Sequence, residues 1–343
     1  LTLGDPSKVC ETTVKAEARR LILEKVATAP GQIVTRTLTV NVRRPELRSG
    51  GRVRLKHDEQ THRDWDNRLT LEFSGARQGV TSLDIARIDH AVTVYLAGDS
   101  TVTDQGQEPW CAWGQMLPRF FGAGAAIANH AESGESLRSF RSERRLDKIL
   151  ETIKPDDYLL IQFGHNDQKE QGVGVGAFST YKADLEQYVS QARQHGAIPV
   201  LVTSMLRRRF DAQGKIVNSL GDYPQAVRQT AKEQRVPLID LNAMSKTLFE
   251  ALGPQGTLKA FVHYPAGTFP GQTAALKDDT HFNAYGAYEL ARCVVEGIKA
   301  NVPALAKFLL PDLPTFDPGH PDSPDTWSLP PSPSRASATP EGS

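Results

Sequence analysis

Cysteine is scarce in this chain: Cys10, Cys111 and Cys293 are the only three in 343 residues. They allow at most one internal disulfide and none stands at a metal-ligand spacing, so a disulfide-stapled scaffold and a cysteine metal site are excluded. Net charge is missing as well, because 40 Lys and Arg balance 40 Asp and Glu. Without a basic surplus there is no electrostatic footprint for nucleic acid, and none is expected as a partner. No apolar run reaches the ~20 residues of a membrane-spanning helix, so no membrane partner is expected either. Leu1 follows no initiator Met, and the opening residues lack the basic and apolar regions of a signal peptide. A processed or trimmed start is the expectation, and cysteine usage leaves the compartment open.

What is present is an ordinary globular composition, 39% apolar and 7% aromatic, in a length that suits one large domain and a small one. Over about 9–90 the pattern has a period of two. Leu38, Val40 and Val42 alternate with polar residues, as do Val53 and Leu55, and Leu69, Leu71 and Phe73. Ser49-Gly50-Gly51 and Ser74-Gly75 punctuate these runs. Alternation with turn punctuation predicts a small β-sandwich, assigned to residues 1–90.

From Val92 apolar runs at 92–97, 125–129, 157–163, 198–204 and 236–241 alternate with helical periods near 112–121, 139–153, 178–195, 223–235, 243–252 and 284–300. Apolar strands, each followed by a helix, predict a parallel sheet covered on both faces, a three-layer α/β/α domain over 91–310. Residues 311–343 are rich in Pro and Ser and read as an extended or disordered tail.

In an open α/β sheet, ligands bind beyond the carboxyl ends of the strands, and four such ends carry reactive residue types. The first run stops at Gly98-Asp99-Ser100-Thr101, placing a candidate nucleophile, Ser100, at a sheet edge. Val102 occupies the second glycine position of a Gly-x-Ser-x-Gly elbow, so that arrangement is excluded. The second end contains Ser133-Gly134-Glu135-Ser136, where Gly134 lets a backbone N–H approach a ligand. The third is Phe163-Gly164-His165-Asn166-Asp167, whose Asn166 amide is suited to a developing oxyanion. The fourth is Asp278-Asp279-Thr280-His281-Phe282-Asn283, expected as a loop. There Asp278 folds back to orient His281, and Asn283 caps the last helix. Taken alone, the first, second and fourth ends read better as plain turns; the occurrence of all four together, in one order around one crevice, favours catalysis.

Those blocks resemble the SGNH (GDSL-type) hydrolases over roughly 92–302. GDSTVTDQ at 98–105, NHAESGES at 129–136, FGHND at 163–167 and DDTHFNAYGA at 278–287 look most like the rhamnogalacturonan acetylesterases, carbohydrate esterase family 12. EPWCAWGQMLPRFF at 108–121 is similar to the segment after the nucleophile in bacterial members. The resemblance implies a flavodoxin-like parallel sheet, Ser100 as nucleophile, His281 as base and Asp278 as its orienting carboxylate. It implies an oxyanion hole of the Ser100 N–H, the Gly134 N–H and the Asn166 amide, with no cofactor and no metal. One position departs: members often carry Arg where this chain has Glu135.

The expected activity is serine-dependent removal of O-acetyl groups from a plant polysaccharide such as acetylated rhamnogalacturonan, which implies a secreted or periplasmic location. Arg207 and Arg208 at another strand end are candidates for uronate carboxylates, and Trp110 for a sugar-stacking face. The N-terminal region resembles galactose-binding-like sandwiches; Trp65 is its one aromatic of note, and packing against the catalytic domain is the favoured role. Other readings are an SGNH esterase for xylan, other acetylated carbohydrates or lipid esters, and, in a different class, a non-catalytic carbohydrate-binding protein.

Overall fold

The computed structural model describes residues 1–333. At its centre five parallel strands lie in the order β11-β10-β9-β7-β8. These are β7 (Val92–Gly98), β8 (Ala125–Asn129), β9 (Tyr158–Gln162), β10 (Ile198–Val202) and β11 (Leu238–Ile239). The apolar runs of the sequence therefore build the sheet they predict. Alternate side chains enter two separate cores: Val94, Leu96 and Leu160 face one, Tyr95, Ala97, Leu159 and Ile161 the other. A strand buried on both faces has no use for a polar alternation, which is why these segments read as continuous apolar runs.

Helices cover both faces. In chain order they are α1 (Trp113–Met116), α2 (Leu137–Ser142), α3 (Arg145–Leu150), α4 (Lys182–Gln194), α5 (Tyr223–Gln234), α6 (Leu241–Gly256), α7 (Ala284–Asn301) and α8 (Pro303–Ala306). The run expected as one helix near 139–153 is broken between α2 and α3 by Arg144, which adopts φ +64°. Asn283 caps α7 as expected, its side chain accepting the Gly286 N–H at 3.1 Å.

The N-terminal part forms two three-stranded antiparallel sheets, ordered β4-β1-β6 and β3-β2-β5. They comprise β1 (Thr2–Leu3), β2 (Cys10–Ala16), β3 (Arg20–Thr28), β4 (Val34–Thr35), β5 (Leu71–Arg77) and β6 (Val80–Ser82). Two expectations fail here. Residues 38–42 and 53–55, read as strands from their alternation, are irregular. They run across the α/β body instead, where Thr39 Oγ1 donates to Ala123 O at 2.6 Å and Val53 is fully buried. In 53–55 burial of Val53 beside exposed Arg54 leaves the same sequence signature as a strand, whereas in 38–42 the alternation matches no alternation of burial. Leu21 of β3 enters the same core as α7, so the N-terminal sheets share apolar burial with the α/β body.

Two more strands, β12 (Phe261–Tyr264) and β13 (Leu276–Phe282), make an antiparallel pair beyond the sheet. Residues 311–333 contain no helix or strand but lie against the body. Trp327 packs on Tyr288 at 5.2 Å between centroids, and Lys15 Nζ donates to Pro330 O at 3.0 Å. The rest of the Pro- and Ser-rich stretch lies outside the described residues. All three cysteines are free and buried, so no disulfide forms.

Candidate active site

Strand β7 lies between β9 and β8, and its carboxyl end carries Ser100. The loops after β8 and β9, carrying Gly134 and Asn166, therefore flank it on either side. Gly98, the last residue of β7, is glycine where a Cβ would stand 2.5 Å from Val102, which packs back under the turn. Buried hydrogen bonds then fix the turn: Asp99 Oδ1 accepts the Thr101 N–H at 2.9 Å and the Thr101 hydroxyl at 2.7 Å. Gln162 Nε2 donates to Thr101 Oγ1 at 2.8 Å, and its Oε1 accepts the Trp113 indole N–H at 2.7 Å. Gln105 Nε2 reaches Ser100 O at 2.9 Å. These bonds tie Asp99 Oδ1, the Thr101 hydroxyl and N–H, and the Ser100 carbonyl down from behind.

Ser100 Oγ lies 2.8 Å from His281 Nε2, and His281 Nδ1 lies 2.7 Å from Asp278 Oδ2. The expected loop around this histidine is in fact the end of a strand. In the β12–β13 pair Val262 faces Asp278, yet Phe261 faces Phe282, so residues 279–281 bulge out of the ladder. A bulge re-aims side chains, and here it wraps the backbone around Asp278, whose Oδ1 accepts the N–H groups of Thr280 at 2.8 Å and His281 at 2.9 Å. Burial would raise the Asp278 pKa, but the His281 hydrogen bond and charge and these backbone donors outweigh it, holding the carboxyl well below the usual range. Phe282 anchors the bulge by packing at a tilt against buried Phe261, 4.5 Å between ring centroids, packing whose removal costs about 3–5 kcal/mol in comparable cores.

Gly134 adopts φ +78°, a conformation that favours glycine. Asn166 Nδ2 donates to Glu135 O at 3.0 Å, which joins the two flanking loops. Lys169 Nζ holds the Asn166 carbonyl oxygen at 2.9 Å, so the amide orientation is set from both ends. Glu135 is buried, its carboxylate paired with Lys56 Nζ at 2.7 Å and accepting Ser139 Oγ at 2.6 Å. Its side chain is not available to a ligand.

The three candidate substrate contacts fare differently. Trp110 is only 2% exposed and presents no stacking face. Trp65 is also buried, under the Arg43 guanidinium at 4.3 Å. Each guanidinium nitrogen of Arg207 donates to protein oxygen: Thr280 Oγ1 at 3.2 Å, Ser219 O at 3.1 Å and His165 O at 3.4 Å. Arg208 does the same toward Thr257, Asp279 and Pro254. The forks expected to face a uronate are turned inward, and Arg207 braces the bulge and the Asn166 loop together. Sequence reasoning missed this bracing, and also Asp167, whose buried carboxyl accepts the Leu137 N–H at 2.9 Å. Gln105 closes the GDSTVTDQ block, so a signal for it was present; Arg207 had none beyond its place at a strand end.

The arrangement suits nucleophilic acyl transfer: a hydroxyl in contact with an imidazole, a carboxylate fixing that imidazole, and hydrogen-bond donors on both sides. No group of His, Cys, Asp and Glu among the described residues is placed to hold a metal ion.

The GDSL-like Lipase/Acylhydrolase family model matches residues 96–288. The rhamnogalacturonan acetylesterase RhgT of Bacillus subtilis (strain 168) is 46% identical over 210 residues, 61% of this chain and 90% of its own length. The probable rhamnogalacturonan acetylesterase YesY of the same organism is 37% identical over 209 residues, 60% of this chain and 92% of its own. The solved structure of B. subtilis protein YxiM superposes with a TM-score of 0.52 at 24% identity, covering 88% of this chain and 76% of that one, a likeness of fold. No helix among the described residues is long and apolar enough to cross a membrane.

Proposed function

Because the chain belongs to the GDSL-like lipase/acylhydrolase family and is a carboxylic ester hydrolase, we propose that it removes O-acetyl groups from acetylated rhamnogalacturonan. The reading is carried by one observation, the continuous Ser100–His281–Asp278 hydrogen-bond chain at 2.8 and 2.7 Å. The polymer is inferred from the names of two relatives. Residues 91–310 form the catalytic unit in this reading, with 1–90 as a supporting domain. A cell-wall polymer is met outside the cytoplasm, so the enzyme works there.

In the mechanism, His281 Nε2 takes the Ser100 proton as Oγ attacks the acetyl carbonyl. Asp278 stabilises the imidazolium that forms. The carbonyl oxygen becomes an oxyanion held by the N–H groups of Ser100 and Gly134 and by the Asn166 amide. His281 then protonates the departing sugar oxygen, leaving an acetyl ester on Ser100. Water, deprotonated by His281, attacks that ester; acetate leaves and the serine recovers its proton.

Ser100→Ala should abolish hydrolysis of p-nitrophenyl acetate while leaving the circular dichroism spectrum unchanged. Retention of a tenth of wild-type turnover would sink the assignment of the nucleophile. Acetate release from acetylated rhamnogalacturonan should exceed that from acetylated xylan; equal release, or preference for xylan, would overturn the choice of polymer.

A further inference from the structure

We propose that Lys56 is a positioning residue for the oxyanion hole, reaching in from the N-terminal region to aim the Gly134 N–H; the inference rests on the esterase reading above. Lys56 Nζ donates to Ser133 O and pairs with Glu135 Oε1 at 2.7 Å, so it grips the residues on either side of Gly134. The Ser133 carbonyl and the Gly134 N–H belong to one peptide unit, which is planar and trans. Fixing the direction of that oxygen therefore fixes the N–H in the opposite direction. A glycine at φ +78° has no Cβ to restrict its peptide, and the aim must come from outside. A cation on the carbonyl also polarises the peptide and strengthens its N–H as a donor.

The grip is rigid at both ends. Ser133 N–H is held by Glu132 Oε1 at 2.6 Å, so both backbone polar groups of Ser133 are fixed. The Lys56 backbone N–H donates to Glu59 Oε2 at 2.8 Å, and the Glu59 carboxylate is paired with Arg145 of α3 and accepts the Trp65 indole N–H at 2.9 Å. Glu135 neutralises the largely buried ammonium, and its own carbonyl receives the Asn166 amide at 3.0 Å. One lysine thus bears on two of the three oxyanion donors. Glu135 is the counter-ion this lysine requires. Lys56 lies outside the stretch matched by the family model, residues 96–288, so this part of the catalytic apparatus is supplied by the N-terminal region.

The test measures Lys56→Met, Lys56→Arg and Glu135→Gln in the full chain, with turnover of p-nitrophenyl acetate normalised to sites titrated by a serine-directed phosphonate. Lys56→Met should lower kcat tenfold or more with KM within twofold, and slow phosphonylation by a similar factor, since the phosphonyl oxygen uses the same donors. Misplacement of a reacting group by about 1 Å suffices for losses up to ~100-fold. Lys56→Arg, which keeps a cationic donor, should recover to within about threefold of wild type. A purely structural role would lower the titratable site count or the Tm and leave turnover per site intact. That result, or a Lys56→Met kcat within twofold of wild type, overturns the inference. Should Lys56→Met yield no titratable sites, Glu135→Gln decides by the same kcat criterion. An inactive wild-type protein would instead overturn the esterase reading.

Discussion

Two adjacent carboxylates, Asp278 and Asp279, offer a sharp contrast, because the same Asp→Asn change should have very different consequences at each. Asp278 Oδ2 receives His281 Nδ1 at 2.7 Å while Oδ1 receives two backbone N–H groups. An amide there loses a charge-assisted hydrogen bond, worth about 1.5–3 kcal/mol. Two backbone donors hold the remaining oxygen, so the amide nitrogen is forced toward His281 Nδ1. The ring then adopts the tautomer with its proton on Nε2, which donates to Ser100 instead of accepting from it. Together these effects amount to about 3–5 kcal/mol, or a 10²–10⁴-fold loss of kcat at about 1.36 kcal/mol per decade. Asp279 is half exposed and pairs with Arg208 at 3.1 Å and His263 at 2.8 Å. Exposed pairs of this kind contribute about 0.2–1 kcal/mol, so Asp279→Asn should stay within about fivefold of wild type. The assay is kcat on p-nitrophenyl acetate per phosphonate-titrated site. Equal losses, or a larger loss at Asp279, would refute the reasoning. A stability measurement checks it independently. The Asp278 pKa is depressed in the fold, so its stabilisation is present above the unfolded value of about 3.9 and fades as pH falls below it. The stability gap between wild type and Asp278→Asn should narrow in the same range.

Asn166→Ala removes one oxyanion donor and should lower kcat by about 10²–10³ with little change in KM on a small ester; a loss under tenfold would remove Asn166 from the hole. Burial raises the Asp167 pKa to about 8, only partly offset by the Leu137 N–H. A raised folded pKa means the stabilisation is complete below the unfolded value of about 3.9 and is lost progressively as pH rises toward 8. Folding free energy should therefore fall by about 1.4 kcal/mol per pH unit on this account within that window. Asp167→Asn should flatten that slope and raise the urea midpoint at pH 8 relative to wild type. An unchanged slope would show that another group sets it.

The tail and the N-terminal region illustrate where local pattern misleads. Residues 38–42 alternate as a strand does, yet they are irregular chain in which residues 38–41 are partly buried and Val42 is exposed, so the alternation there records neither a strand nor a two-sided burial. Pro and Ser in 311–333 rule out helix and strand but not docking, and Trp327 carries that segment onto α7. Arg207 and Arg208 look like surface cations in sequence; only the fold reveals that their partners are backbone carbonyls, hydroxyls and Asp279.

The five parallel strands with their intervening helices, and the strand ends that carry Ser100, Gly134 and Asn166, were legible in the sequence alone, as was the pairing of Asp278 with His281. They depend on hydrophobic period, on strand-end position and on short blocks with a mechanism attached, all local properties of the chain. The β-bulge that brings His281 onto Ser100, the inward turn of Arg207 and the reach of Lys56 to Ser133 were not. Each joins residues from about 20 to nearly 80 positions apart through a hydrogen bond or a strand register, and no local pattern records which buried donor will meet which acceptor. That choice is made when the layers pack and every buried polar group must find a partner.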